Sequence, residues 1–196
     1  MNARRDRKLV RALRARDEDA FRELVHLYQH KVFNIVFRIV SDRHEAEDVA
    51  QEVFITVFKN VHQFRGDAKF STWLYTIATN HARNRIKYLS RRARRKHQDI
   101  DDTPEGQMSE TPLATTTVRP DKQAQANELE AIIQSGLGDL QAEHREIIVL
   151  RDIENLSYQE ISEVTGLAEG TVKSRLFRAR VALKTYVESR YSFGGE

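Results

Sequence analysis

The chain contains no cysteine, which excludes disulfide staples and thiolate chemistry and suits a reducing compartment. Prolines number three and glycines eight in 196 residues, a scarcity that fits a helical protein. No run is apolar for long enough to cross a bilayer. The first twenty residues, MNARRDRKLVRALRARDEDA, are charged where a secretion signal would be apolar. These absences lead to the expectation of a cytoplasmic protein without membrane insertion. Charge of either sign is plentiful and nearly balanced, at +3 overall. It is unevenly placed: residues 81–97 hold eight Lys or Arg and no acid, leaving twenty-four basic residues against twenty-nine acids elsewhere. An acidic body with inserted basic patches points to localised contact with a polyanion.

The most informative stretch is residues 156–183, LSYQEISEVTGLAEGTVKSRLFRARVAL. Ser157 and Glu160 have the spacing of a capping box, so a helix starts there. Ile161 and Val164 form its apolar stripe, and Gly166 stands where the chain must turn through positive φ. Leu167 plugs the corner. A second helix follows, with Val172, Leu176, Ala179 and Leu183 on its inner face at 100° per residue. Lys173, Ser174, Phe177 and Arg178 fall outside. Residues 170–187 carry five basic residues and no acid. This is a helix-turn-helix pattern whose second helix would enter the major groove. Two details fit less well: Ala168 is a poor N-cap, and Ser162 occupies a contact position where alanine buries more easily.

Earlier residues read as helices too. Residues 4–15 present Leu9, Val10 and Leu13. From Phe21 to about Val40, apolar residues recur at helical spacing, capped by Asp17 or Asp19. His26 and His30 are four apart but lack an evident carboxylate or cysteine partner, so no metal or other cofactor is expected. Asp42 and Glu45 have capping-box spacing before a helix over residues 43–60. Its inner face is Ala46, Val49, Ala50, Val53, Phe54 and Val57. Glu45, Asp48, Gln51 and Glu52 lie opposite, with apolar Ile55 among them, which suits docking to a basic partner. Residues 64–70, FRGDAKF, form a loop. Ser71 or Thr72 then caps a long helix carrying Trp73, with Thr76, Asn80, Arg83 and Lys87 on one outer stripe and Asn84 at its edge. Such donors and cations suit phosphate and base-edge contacts, and adjacent aromatics suit stacking on unpaired bases.

All three prolines fall in residues 98–127, with six acids against two bases. Apolar periodicity ceases there, which predicts a flexible linker. The expected organisation is all-α: a helical domain over 1–97, the linker over 98–127, a helix-turn-helix domain over 128–190 and a fraying tail over 191–196. Within the second domain, Leu129, Ile132 and Ile133 mark one helix. Leu137 and Leu140 bridge a turn, and Ile147, Ile148, Leu150 and Ile153 mark the next.

On AEDVAQEVFITVF, FRGDAKFSTWLYTIATNHARNRIK and LQAEHREIIVLRDIENLSYQEISEVTGLAEGTVKSRLFRARVAL, the chain resembles bacterial RNA polymerase sigma factors of the extracytoplasmic-function type. The resemblance covers both domains, as sigma region 2, a connector and sigma region 4. It implies binding to core RNA polymerase and direction to promoters, without catalysis. Asp48, Gln51, Glu52 and Ile55 would dock on the clamp helices of the largest subunit, and region 4 on the flap of the second-largest. Phe64, Phe70, Trp73, Thr76, Ile77, Asn80, Arg83, Asn84 and Lys87 would recognise and open the minus-ten element. Phe64, Phe70, Ile77 and Asn80 match the part that pockets a flipped base. Thr171, Lys173, Ser174, Arg175, Phe177 and Arg178 would read the minus-thirty-five element. The resemblance also implies an anti-sigma factor partner and a role in a stress response. Two rival classes make different demands. A dimeric helix-turn-helix regulator would act independently of polymerase. A DNA-processing enzyme would need a nucleophile or a metal-binding acid set, and no further carboxylate is placed to complete one with Asp48 and Glu52.

Overall fold

The computed structural model describes residues 3–98 and 120–191. The expected linker therefore falls mostly on residues 99–119, outside the described residues, as does most of the tail. Helix α1 spans Ala3–Arg14, α2 Glu18–Val40, α3 Arg43–Asn60 and α4 Phe70–Gln98. In the second half, α5 spans Pro120–Asp139, α6 Ala142–Ile148, α7 Tyr158–Thr165 and α8 Glu169–Glu188.

In the first half α2, α3 and α4 pack pairwise, and α1 lies against α2. Leu24, Val32, Ile35, Val36 and Ile39 of α2 are fully buried, with Val49, Val53 and Val57 of α3 and Leu74 and Ala78 of α4. Asp17 caps α2 by accepting from the Asp19 and Ala20 N–H groups at 2.9 and 3.0 Å. Asp42 caps α3 through the Glu45 N–H at 2.9 Å. The Glu45 carboxylate does not complete a capping box: it accepts from the Arg85 guanidinium instead. A charge-assisted bond to a half-buried arginine outweighs a return bond to an exposed amide. Helix α4 is 29 residues long, about 44 Å at 1.5 Å per residue. It continues through the basic run at Arg91–Arg95, whose side chains are exposed.

Helix α5 begins at Pro120, eight residues before the expected start of the second domain at residue 128. Proline at a first helical position forfeits no hydrogen bond, and a helix start needs no apolar stripe. Leu137 lies inside α5 and not at the turn. Past α6 the backbone widens into one π turn, Val149–Ile153, where the Glu154 N–H reaches the Val149 carbonyl at 3.0 Å. Asn155 then takes φ 57° to turn the chain into α7. Nothing in the apolar spacing distinguishes this π turn from an α turn. The capping box of Ser157 and Glu160 forms in both directions, and Gly166 ends α7 at φ 73°. Ala168 supplies no side-chain cap to α8. Val172, Leu176 and Ala179 are buried against α6 and α7, and Leu183 is half-buried.

The two halves share one apolar core, with α2 touching α5 and α6, and α4 touching α7. Arg145 joins them. It is 9 % exposed and donates to the Ile39 carbonyl at 2.6 Å, to Ser41 Oγ at 3.3 Å, to the Leu140 carbonyl at 3.0 Å and to the Gly138 carbonyl. The Ile39 and Gly138 carbonyls belong to the C-terminal ends of α2 and α5, where helix dipoles leave negative charge without intrahelical partners, and Leu140 follows directly after α5.

Candidate nucleic-acid and polymerase interface

Three exposed surfaces carry the residues singled out by sequence. On α3, Asp48, Gln51, Glu52 and Ile55 are all exposed and fall on one stripe at successive helical turns. Ile55 remains 52 % exposed, an apolar side chain beside acids with nothing covering it. Glu52 is not free: it accepts from Arg85 Nη2 at 2.8 Å and lies 3.4 Å from His81 Nδ1. Arg85 bridges Glu45 and Glu52 with a side chain only 18 % exposed. One member of the basic run at 81–97 is thus structural, and it fixes the acidic face from beneath. A pair of acids seven apart on one helix face, opposite an arginine, was the available signal.

The second surface is α4 and the loop before it. Asn80, Asn84 and Lys87 are exposed, whereas Thr76, Ile77 and Arg83 are half-buried. Thr76 donates its hydroxyl to the Thr72 carbonyl at 3.0 Å, and Arg83 donates to Asn80 Oδ1 at 2.8 Å. Phe64 and Trp73 form a half-buried aromatic shelf, with ring centroids 5.5 Å apart. Phe70 departs from its expected role. It is 1 % exposed, wedged between Phe64, Trp73 and Tyr28 at centroid distances of 5.4, 5.6 and 6.0 Å. A fully buried ring offers no face to a base, so Phe70 supports the shelf and is not part of it. Gly66 lets the loop turn at φ 89°. A cleft of about 690 Å³ opens here, between Phe64, Lys69 and Thr72 on one wall and Ser157 and Glu160 on the other. Lys69 was not among the expected contacts. Its ammonium reaches Glu160 at 2.8 Å, and that bond, with the Ser157 backbone N–H, holds the Glu160 carboxyl below its ordinary range.

The third surface is the outer face of α8. Lys173, Ser174, Phe177 and Arg178 are exposed, Phe177 to 70 %. Thr171 is half-buried. Arg175 turns aside: its guanidinium pairs with Glu143 at 2.7 Å and only 26 % of the side chain is exposed. Its i+3 position from Val172 brings it to the edge of the buried stripe, where α6 competes with any outside ligand. Arg180, beyond the expected set, is held by Asp152 at 2.5 and 2.9 Å.

A bundle with an acidic face and an aromatic shelf, beside a helix-turn-helix with an exposed basic helix, is matched by known proteins. Residues 24–95 match the family model for Sigma-70 region 2, and residues 131–183 that for Sigma-70, region 4. Over 180 residues the chain is 39 % identical to the RNA polymerase sigma-H factor of Pseudomonas aeruginosa, covering 91 % of each.

The chain belongs to the extracytoplasmic-function (ECF) sigma factors.

It is also 38 % identical over 184 residues to the ECF RNA polymerase sigma-E factor of Escherichia coli K12, covering 93 % of this chain and 94 % of that one. Among solved structures, CnrH in its complex with the cytosolic domain of CnrY shares the fold. The TM-score is 0.68 at 24 % identity, over 97 % of this chain and all of that one. As an ECF sigma factor the chain binds core RNA polymerase and directs promoter-specific initiation. No helix among the described residues is long and apolar enough to cross a membrane.

Proposed function

We propose that the three surfaces divide the work of initiation among them. The stripe of Asp48, Gln51, Glu52 and Ile55 docks on the clamp helices of the largest polymerase subunit. Opposite charge steers the encounter, and Ile55 supplies an apolar anchor inside a polar rim. The shelf of Phe64 and Trp73, with Ile77, Thr76, Asn80, Arg83, Asn84 and Lys87 along α4, captures the opened minus-ten strand. No bond in DNA is made or broken. The surface needs only to bind the unpaired strand more tightly than the duplex, which shifts the melting equilibrium. Unstacking a base costs a few kcal/mol, and stacking on an aromatic returns about 1–3 kcal/mol per base. Lys173, Ser174, Phe177 and Arg178, with Thr171 at the helix start, read the minus-thirty-five element, and the second half also meets the flap. The linker connects the two DNA-binding halves.

One observation carries this reading: the exposed polar and cationic stripe of α4 begins at an aromatic shelf, on the same bundle as a separate acidic face. A duplex-only regulator needs neither the shelf nor the acidic face. Relatives of this fold have been solved with inhibitors, including the sigma factor RpoE with the anti-sigma factor NepR from Bartonella quintana. The same class of partner is assigned to this chain, which acts in the cytoplasm, in a stress response, without catalysis.

Asp48→Arg combined with Ile55→Ala tests the docking surface while leaving the Arg85 bridge to Glu45 and Glu52 intact. Affinity for purified core polymerase should fall at least tenfold at unchanged thermal stability. Unchanged affinity would refute the assignment.

A further inference from the structure

The first helix carries a charge pattern that none of the three surfaces uses. In ARRDRKLVRALR, the sequence of α1, six residues are basic and one is acidic. At 100° per residue the cations are not spread evenly: Arg7, Arg11 and Arg14 fall within about 60° of one another. All three are exposed. The single acid, Asp6, is half-buried, with one oxygen closed off from water. Arg5, on the other flank, is committed to Glu23 at 2.9 Å. Leu9, Val10 and Leu13 are buried in the core, so α1 has no apolar face left for a membrane surface. What it presents outward is a stripe of guanidinium groups one helical turn apart.

That stripe borders the aromatic shelf. Arg14 donates to the Phe64 carbonyl, and Arg7 lines the same cleft as Phe64, Lys69 and Thr72. Helix α1 also packs on the turn of Val61–Gln63 that leads into the loop. Phe64 therefore meets α1 on one hand and Trp73 of α4 on the other. Asn80 to Lys87 lie farther off, about 15–26 Å along α4 from its start at Phe70. The chemistry changes along this path. Helix α4 offers amides and cations, which suit base edges and phosphates, and the shelf offers ring faces, which suit unpaired bases. Helix α1 offers guanidinium groups alone, and these suit phosphate oxygens.

We propose that Arg7, Arg11 and Arg14 hold the backbone of the opened strand beyond the minus-ten element, on the side of the start site. This rests on the reading of the shelf as strand-binding. The shelf also assigns the side: bases on Phe64 and Trp73 are already unpaired, so the strand that continues from them onto α1 is single. Each nucleotide of it brings a negative charge that no partner strand accompanies. Arg14 serves twice. One of its five N–H groups holds the Phe64 carbonyl and so fixes the loop, and others remain for a phosphate.

Three DNAs, built on a promoter that the holoenzyme selects from a library, separate the contributions. The first is duplex that ends upstream of the minus-ten element. The second adds that element as a single-stranded overhang. The third extends the overhang towards the start site by a thymidine run of about eight nucleotides. Binding to holoenzyme, core polymerase with the full chain, is measured against salt. Arg7→Gln with Arg11→Gln keeps helix propensity and should bind the first two DNAs as the wild type does. On the third it should lose about fivefold or more, with a log K against log salt slope shallower by about 1.4, for two phosphate contacts at about 0.7 each on a single strand. Arg7→Lys with Arg11→Lys should restore the slope, since a phosphate contact needs charge and not a planar fork. Arg5→Gln with Lys8→Gln removes equal charge from the other flank, where both residues line a separate cleft with Asp17 and Glu23. That pair should bind the extended DNA like the wild type. Equal losses in the two glutamine pairs would reduce the stripe to general charge and overturn the proposal. So would normal binding of the extended DNA by Arg7→Gln with Arg11→Gln. A minus-ten overhang that adds nothing to wild-type binding would instead sink the shelf reading itself, and the proposal with it.

Discussion

Replacing Arg145 by methionine keeps most of the side-chain volume and removes the guanidinium that joins the two halves. Four acceptors lose a donor: the carbonyls of Ile39, Gly138 and Leu140, and Ser41 Oγ. A hydrogen bond to a charged group contributes about 1.5–3 kcal/mol. The sum is not the full cost, because several terms offset it. Ser41 is exposed and its hydroxyl regains water. Arg145 Nε is buried without a partner, and removing it relieves that penalty. Burial already strains the charge, holding the guanidinium pKa below its ordinary value despite Asp139 nearby. The stranded helix-end carbonyls remain, and the expected net loss is about 2–4 kcal/mol. Urea titration followed by circular dichroism should show it as a lower midpoint. Because the lost bonds include those between halves, the single transition of the native chain should also split in two. A midpoint change worth less than about 0.5 kcal/mol, in one unsplit transition, would refute the idea that this arginine couples the halves.

Two further outcomes follow from single atoms. Ser162 Oγ is buried without a partner, so Ser162→Ala should stabilise the chain by about 1 kcal/mol in the same titration; a loss of stability would mean that the hydroxyl is satisfied in solution. Arg178→Ala should alter base preference at the upstream element by about 1–3 kcal/mol if the guanidinium meets a base edge. Competition between promoter variants would show this, and a uniform loss on all sequences would instead assign it to a phosphate.

The helices and their faces were legible because burial imposes a 3.6-residue rhythm, as at Val172, Leu176 and Ala179, and because caps such as Asp17 and Ser157 have local chemistry. The stripe from Asp48 to Ile55 was legible for the same reason, an apolar residue breaking the rhythm of an acidic face. Phe70 was misassigned because an aromatic at a loop-to-helix junction looks the same whether it points out or in, and only its contacts with Tyr28 and Trp73 decide. Arg145 gave no local signal at all. Its partners lie about a hundred positions away on α2 as well as nearby on α5, and long-range tertiary pairing leaves no periodic trace. Arg175 and Arg85 show the same limit: each is one basic residue among several, and acids on a neighbouring helix, Glu143 for Arg175 and Glu45 with Glu52 for Arg85, take it off the DNA-facing surface.

As an ECF sigma factor, this chain confers promoter choice on core RNA polymerase. Run-off transcription from a promoter library, with purified core polymerase plus or minus the purified chain, measures it directly. Discrete start sites that appear only with the chain, preceded by a shared pair of upstream elements, are the predicted result. Identical, unselective transcription with and without it would contradict the account.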